Sequence, residues 1–311
     1  MIETTLEGAE PGRRAIALGS FDGVHLGHRR VIEQTVAAAR EHRITSSVVT
    51  FDPHPMAVLR PELAPRELST PARRAALVAE LGPDELVSIR FSHEFSLIDH
   101  ERFAEEVLRI TLGAELVSVG RNFRYGHRAQ GSIETLAASG TRLGFAVEPA
   151  PLLEIDGAPV SSSRIRDLVS AGQVEHATRL LGRPPWVEGT IVRGDGRGRD
   201  LGFATANLDP PPRAALPGTG IYAGRAHLPD GSHAAAISVG YNPTFSDERQ
   251  RVRIEAHLLD FDRDVYGRPL RLELIRRLRG EERFGSVDEL VAQVHRDIDA
   301  VRAEPLIWRT S

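Results

Sequence analysis

Between residues 13 and 153, short apolar stretches alternate with longer segments of helical period, and that rhythm stops at Pro184-Pro185. "RRAIALGSF", "TSSVVTF", "ELVSIRF", "AELVSVG" and "FAVEPAPLL" read as strands. The stretches between them read as helices. "HRRVIEQTVAAAREH" carries Val31, Ile32, Val36 and Ala39 on one side, and "ARRAALVAEL", "ERFAEEVLRITL" and "GSIETLAASGTRLG" follow in turn. Apolar strands separated by helices predict a parallel sheet covered on both faces, an α/β, Rossmann-like domain.

Two short helical segments, "SSRIRDLVSAG" and "VEHATRLLG", lead to the proline pair, which breaks the helical pattern. Beyond it, "WVEGTIVRG", "IYAGRAHLP", "HAAAISVGY", "RIEAHLLDF" and "PLRLELIRRLR" are short, largely alternating and separated by turn-rich loops. They predict a mainly-β antiparallel barrel or sandwich. "SVDELVAQVHRDIDAVRAE" ends the pattern as a helix, with Ser286 as N-cap and Leu290, Val294, Ile298 and Val301 along one face. A chain of 311 residues has room for two domains of about 100–200 residues each. The boundary is expected near Arg183, giving domains 1–183 and 184–311.

What the chain lacks narrows its chemistry. Cysteine is absent, which removes disulfides, thiolate zinc sites, iron–sulfur clusters and cysteine nucleophiles. Lysine is absent too, since all 39 residues of the basic total are arginine. A Walker A loop, a protein-kinase strand lysine and Schiff-base chemistry are thereby excluded. Phosphates must be handled by arginine, histidine, backbone N–H groups, hydroxyls and metal. A net charge of -4 gives no reason to expect a nucleic-acid or membrane partner. The N-terminus lacks signal-peptide features, and no apolar run approaches the ~18 residues of a membrane span. A cytoplasmic protein is expected, of open oligomeric state.

"GSFDGVHLGHRR" sets His25 and His28 in a glycine-rich turn from a strand into a helix. The spacing is neither G-x-G-x-x-G nor H-E-x-x-H, so a dinucleotide fingerprint and a zincin site are both disfavoured. Such a turn presents N–H groups and the positive end of a helix dipole to an anion, and imidazoles at its rim can donate to the same oxygens. Together with "VVTFDPHP", "VGRNFRYG" and "SSSRIRDLVSAGQV", this stretch resembles the adenylyltransferase half of bacterial FAD synthetases, within the nucleotidylyltransferase superfamily. The resemblance implies that His25 and His28 stabilise the α-phosphate of ATP while FMN attacks it. It also implies that Gly19, Phe21, Gly27, Ser162, Ser163 and Arg166 serve ATP and its phosphates, with Asn122 on the flavin side. Ser163 stands where threonine is usual. His54 in "FDPHP" reads equally well as structural.

Downstream, "GDGRGRDLGFATANL" combines glycines, arginines and two neutral oxygen donors, Thr205 and Asn207, two residues apart. In a strand those two share a face, and oxygens of this kind suit Mg²⁺ held with substrate phosphates. This stretch, "YNPTF", "RIEAHLLDFDRDVYG" and "RRLRGEERFGS" resemble the riboflavin kinase domain. The resemblance implies Thr205 and Asn207 as metal-side residues, Gly196, Gly198 and Arg199 at ATP, and Glu255 as the base for the ribityl 5′-hydroxyl. Ala204 replaces the family's proline before the threonine. The expectation is a bifunctional enzyme that converts riboflavin to FMN and FMN to FAD, with ATP as co-substrate and Mg²⁺ in both steps. The alternatives are an adenylyltransferase with an impaired kinase, and a non-catalytic flavin-binding regulator.

Overall fold

The computed structural model describes residues 1–194, 202–241 and 252–305. Its contacts divide the chain into two compact units, Met1–Ser162 and Ser163–Ser311. The first holds six parallel strands, β1 (Ile2–Thr5), β2 (Arg14–Leu18), β3 (Thr45–Asp52), β4 (Glu85–Arg90), β5 (Ala114–Gly120) and β6 (Ala146–Ala150). Their spatial order is β1-β4-β3-β2-β5-β6. From β2 the chain winds outward through β3 and β4, then crosses to β5 and β6 on the other side. Beyond the carboxyl ends of β2 and β5 lies the switch point where ligands bind in open α/β sheets.

The layers form as the sequence predicts. Helix α1 (Leu26–His42) lays Val31, Ile32, Thr35, Val36 and Ala39 against one face of the sheet. On the other, Phe103, Val107, Leu108 and Leu136 pack with Ile16, Leu18, Val49 and Val117. Two details differ from the sequence reading. The edge strand β1 was not anticipated, because four residues of "IETT" carry too little alternation to register. Phe103–Thr111 is wound as a π-helix rather than an α-helix, with Leu112 N–H donating to the Val107 carbonyl at 3.0 Å. A short hairpin, β7 (Glu154–Ile155) and β8 (Ala158–Pro159), follows β6.

In the second unit β9 (Trp186–Val192), β10 (Ala206–Asp209), β11 (Gly220–Leu228), β12 (Gly231–Tyr241), β13 (Val252–Leu258) and β14 (Pro269–Arg279) close a barrel. All the pairings among its described strands are antiparallel, and each of these strands is paired on both sides. Val187, Ile191, Leu208, Ile237 and Leu272 fill the interior. The terminal helix Val287–Arg302 is capped by Ser286 and packs Val301 on Ala223, Ala234 and Ile275 outside the barrel. Arg279 forks onto the buried Asp297 at 2.8 Å to hold it there. Val174 joins the barrel core, and Glu175 accepts the Arg277 N–H at 3.1 Å. No helix among the described residues is long and apolar enough to cross a membrane.

Candidate functional site

The loop after β2 is built around a buried carboxylate. Asp22 accepts from the N–H groups of Leu68 (3.0 Å) and Ser69 (3.1 Å) and from the Ser69 hydroxyl (3.3 Å). Ser69 Oγ in turn accepts the Gly23 N–H at 3.0 Å, and Thr50 Oγ1 donates to the Ser20 carbonyl at 3.0 Å. These bonds hold a backbone that would not adopt its shape unaided. Phe21 (φ 49°), Gly23 (φ 75°) and Val24 (φ 37°) all lie at positive φ, which costs about 1–3 kcal/mol at each non-glycine residue. The strain is concentrated where the chain must turn sharply into α1.

His25 is the N-cap of α1, and its Nδ1 accepts the His28 backbone N–H at 3.2 Å. That bond fixes the tautomer: with Nδ1 as acceptor, the hydrogen of the neutral ring sits on Nε2, which is then a donor. The two imidazoles stack with centroids 3.6 Å apart and planes 17° apart, and the buried Phe21 meets His28 edge-on at 5.3 Å. A Cβ on Gly27 would come within 3.1 Å of the His25 ring, so this glycine makes room for the histidine pair. Gly19 does the same for the Phe21 ring, at 3.2 Å. No acidic residue occupies the first turn of α1, leaving its positive dipole end suited to an anion.

Ser162 belongs with this loop, donating its hydroxyl to the Asp22 carbonyl at 2.9 Å. Ser163 and Arg166 lie on the helix Ser162–Ser170, with Ser163 exposed and Arg166 half-buried. His54 caps the short helix Pro55–Leu59 through a Met56 N–H bond to Nδ1 at 3.2 Å, which gives it a structural role. Asn122 is exposed in a turn closed by Phe123 N–H to the Gly120 carbonyl at 2.9 Å.

Sequence reasoning missed the aromatic cluster that begins at Phe123, next to Asn122 in the chain. Phe51, Phe91, Phe95 and Phe123 are half-buried and linked through Phe103 and the buried Tyr125 by ring contacts of 5.5–6.4 Å. Phe51 is the penultimate residue of β3, Phe91 follows β4 and Phe123 lies just beyond β5, so aromatics collect at the carboxyl ends of three strands of the sheet. The available signal was a phenylalanine at each strand exit. Asp22, Thr50 and Ser69 were missed because their bonds join segments far apart in sequence.

The barrel carries the second constellation on its outer face. Along β13, Ile254, Ala256 and Leu258 enter the core, which turns Arg253, Glu255 and His257 outward. Asn207 on β10 is the direct register partner of Glu255. Thr205 Oγ1 donates to Glu255 Oε1 at 3.3 Å, and Arg253 Nη2 meets the same oxygen at 2.8 Å. Arg253 Nε donates to Asn207 Oδ1 at 3.2 Å. Metal-side and base residues predicted fifty positions apart thus form one hydrogen-bonded group, joined by an arginine that the sequence reading passed over. β10 begins only at Ala206, so Thr205 lies just before the strand, and "ANLD" is short and holds two poor strand formers.

Ala204, the departure from the family's proline, is held in another way. Its carbonyl accepts from His257 Nδ1 at 2.9 Å, and the Phe203 ring is edge-on to His257 and His295 at 5.9 and 5.1 Å. A cavity of about 830 Å³ opens beside this group, bordered by Arg193, Thr205, His257, Phe261 and Tyr266. Gly196, Gly198 and Arg199 lie outside the described residues. At Gly194 a Cβ would fall on the Asn207 side-chain amide. Gly194→Ala is therefore expected to displace Asn207 and lower the activity of this half about 10²-fold, while the first unit's activity is unchanged. Assays of the two activities on one preparation check this, and an unaltered barrel activity would show that Asn207 tolerates displacement.

Comparisons with known proteins fall on the same two halves. The family model for FAD synthetase matches residues 8–164, and that for riboflavin kinase matches residues 181–304. A bifunctional riboflavin kinase/FMN adenylyltransferase from Bacillus subtilis is 34% identical over 93% of this chain and 91% of its own length. One from Listeria monocytogenes is 36% identical, covering 93% and 92%. A solved structure described as a macrolide-efflux protein from Streptococcus pneumoniae superposes with a TM-score of 0.87 at 28% identity, covering 98% of this chain and all of that one. With a strained H-x-G-H loop on a parallel sheet, a T-x-N and glutamate group on a closed barrel, and relatives aligned along almost its whole length, the chain belongs to the family of bifunctional riboflavin kinase/FMN adenylyltransferases.

Proposed function

We propose that residues 184–311 phosphorylate riboflavin to FMN with ATP, and that residues 1–183 transfer the adenylyl group of a second ATP to FMN, releasing pyrophosphate and FAD. The observation that carries the reading is the pairing of two separate phosphate chemistries in one chain. A helix-terminal histidine pair suits charge building on an α-phosphate. A carboxylate among neutral oxygen donors suits an attacking hydroxyl. Both reactions belong in the cytoplasm on this reading, without a nucleic-acid or membrane partner.

In the kinase half, the ribityl 5′-hydroxyl attacks the γ-phosphorus of ATP, Glu255 takes its proton, and ADP leaves. Thr205 and Asn207 would hold Mg²⁺. The donor set fits such an ion: Asn207 Oδ1 already accepts from a cation, and Thr205 spends its hydrogen on Glu255, keeping its oxygen lone pairs for a ligand. When bound, Mg²⁺ supplies neutralisation and alignment of the phosphates. The His257 bond restrains the backbone at Ala204, which speaks against an impaired kinase.

In the adenylyltransferase half, a phosphate oxygen of FMN attacks the α-phosphorus and pyrophosphate departs. The Nε2–H of His25 and the ring of His28 would donate to the α-phosphate oxygens, with Ser162, bonded to the same loop, toward the departing phosphates. The half-buried phenylalanines at the strand exits offer an apolar surface for the isoalloxazine ring beside Asn122.

The test is chromatography of flavins after incubating the purified chain with riboflavin, ATP and Mg²⁺. FMN is expected first and FAD after it, and chelation of the metal should stop both. Conversion of supplied FMN with riboflavin left untouched would remove the kinase assignment.

A further inference from the structure

The Arg253 guanidinium bridges Glu255 and Asn207 through different nitrogens: Nη2 bonds Glu255 Oε1 at 2.8 Å and Nε bonds Asn207 Oδ1 at 3.2 Å. One of these oxygens belongs to the proposed base and the other to a proposed metal-side residue. The register explains the reach. Asn207 and Glu255 face each other across β10 and β13, and Arg253, two residues before Glu255, lies on the same outer face. A guanidinium fork matches this spacing, whereas a single ammonium would have to choose one partner.

We infer that Arg253 is the resident cation of the kinase centre, holding the Asn207 amide oxygen and the Glu255 carboxylate together until a divalent cation displaces it from Asn207. This rests on the reading that Asn207 serves the metal. An amide oxygen committed to a guanidinium must be given up before it can bind a divalent ion, and two cations crowded on one group repel. The two bonds are separable. The longer one, to Asn207, can break while the shorter ion pair with Glu255 persists and keeps the carboxylate oriented for the hydroxyl. Arg253 is thus a positioning residue that keeps Asn207 and Glu255 together and sets how much Mg²⁺ the centre needs. Its side chain is 29% exposed and that of Glu255 26%, so solvent screens the competition, and the expected effects are modest.

Calorimetric titration of ADP into the full chain at a series of Mg²⁺ concentrations tests this. The proteins compared are the wild type, Arg253→Met, Arg253→Lys and Asn207→Ala. The adenylyltransferase half is common to all four, so its contribution drops out of the comparison. With the competitor removed, Arg253→Met is expected to bind Mg²⁺–ADP at a Mg²⁺ midpoint roughly three- to tenfold lower, the scale of one partly screened charge-assisted hydrogen bond. Its kcat for riboflavin should fall as Glu255 loses its anchor, while FMN adenylylation is unchanged. Arg253→Lys should lie between the two, since an ammonium can keep one contact. A midpoint equal to or above that of wild type overturns the inference. So does ADP binding weakened equally at every Mg²⁺ concentration, which would make Arg253 a phosphate ligand. Asn207→Ala separates the layers: if it titrates like the wild type, the metal reading itself fails. If it loses the Mg²⁺-dependent component while Arg253→Met keeps the wild-type midpoint, only the clamp is wrong.

Discussion

Replacing Glu255 with glutamine is expected to lower the kcat for riboflavin phosphorylation by about 10²–10⁴-fold, the usual worth of a positioned general base. Conversion of supplied FMN to FAD should proceed at the wild-type rate. Glutamine is the informative change because it alters so little else. Its carbonyl oxygen can still accept from Arg253 Nη2 and Thr205 Oγ1, the two bonds that orient the carboxylate at 2.8 and 3.3 Å. The barrel core should be indifferent, because Glu255 lies on the outer face of β13 between the buried Ile254 and Ala256. Only the capacity to take a proton is lost. Riboflavin should accumulate unreacted while FMN, added separately, is consumed. A kcat within about tenfold of wild type would mean that the hydroxyl loses its proton elsewhere, and Glu255 would then be part of the scaffold around Asn207.

The layers of this protein were legible because burial imposes periodicity. Val31, Ile32, Val36 and Ala39 announce the covered side of α1, and the alternation of Ile254, Ala256 and Leu258 with Arg253, Glu255 and His257 announces which face of β13 meets the core. The motif residues were legible for a different reason: H-x-G-H and T-x-N put rare combinations at fixed short spacing. What stayed hidden was whatever depends on a partner distant in sequence. Asp22 reads as one more polar residue in a turn until Leu68 and Ser69 arrive beside it. Arg253 reads as a solvated strand charge until β10 pairs with β13 and brings Asn207 within reach. The phenylalanines at the ends of β3, β4 and β5 gather only because parallel strands leave the sheet at the same edge. A sequence thus reports what a residue must bury more readily than what it must touch.

His25 gives the sharpest separation of structure from chemistry in the adenylyltransferase half, because one ring does two jobs. Through Nδ1 it caps α1 by accepting the His28 N–H, and through Nε2 it is left as a donor. Alanine would remove both, so a dead His25→Ala would not say which mattered. Asparagine divides them. It is among the best N-caps, so His25→Asn should keep the helix start and hold the melting temperature within about 2 °C of wild type, less than the loss of one cap would shift it. It cannot supply the imidazole donor or the ring stacked at 3.6 Å on His28. Adenylylation of FMN should fall by about 10²–10³-fold, the cost of removing one preorganised donor from a developing charge. Riboflavin phosphorylation should be untouched, so the variant given riboflavin, ATP and Mg²⁺ should stop at FMN. If His25→Asn makes FAD at the wild-type rate, the imidazole is only a cap, and the charge on the α-phosphate must be met by His28 and the N–H groups of the turn. If instead the melting temperature falls together with activity, Asp22 and Ser69 hold the loop less firmly than their bonds suggest, and His25 is part of what keeps the strained turn folded.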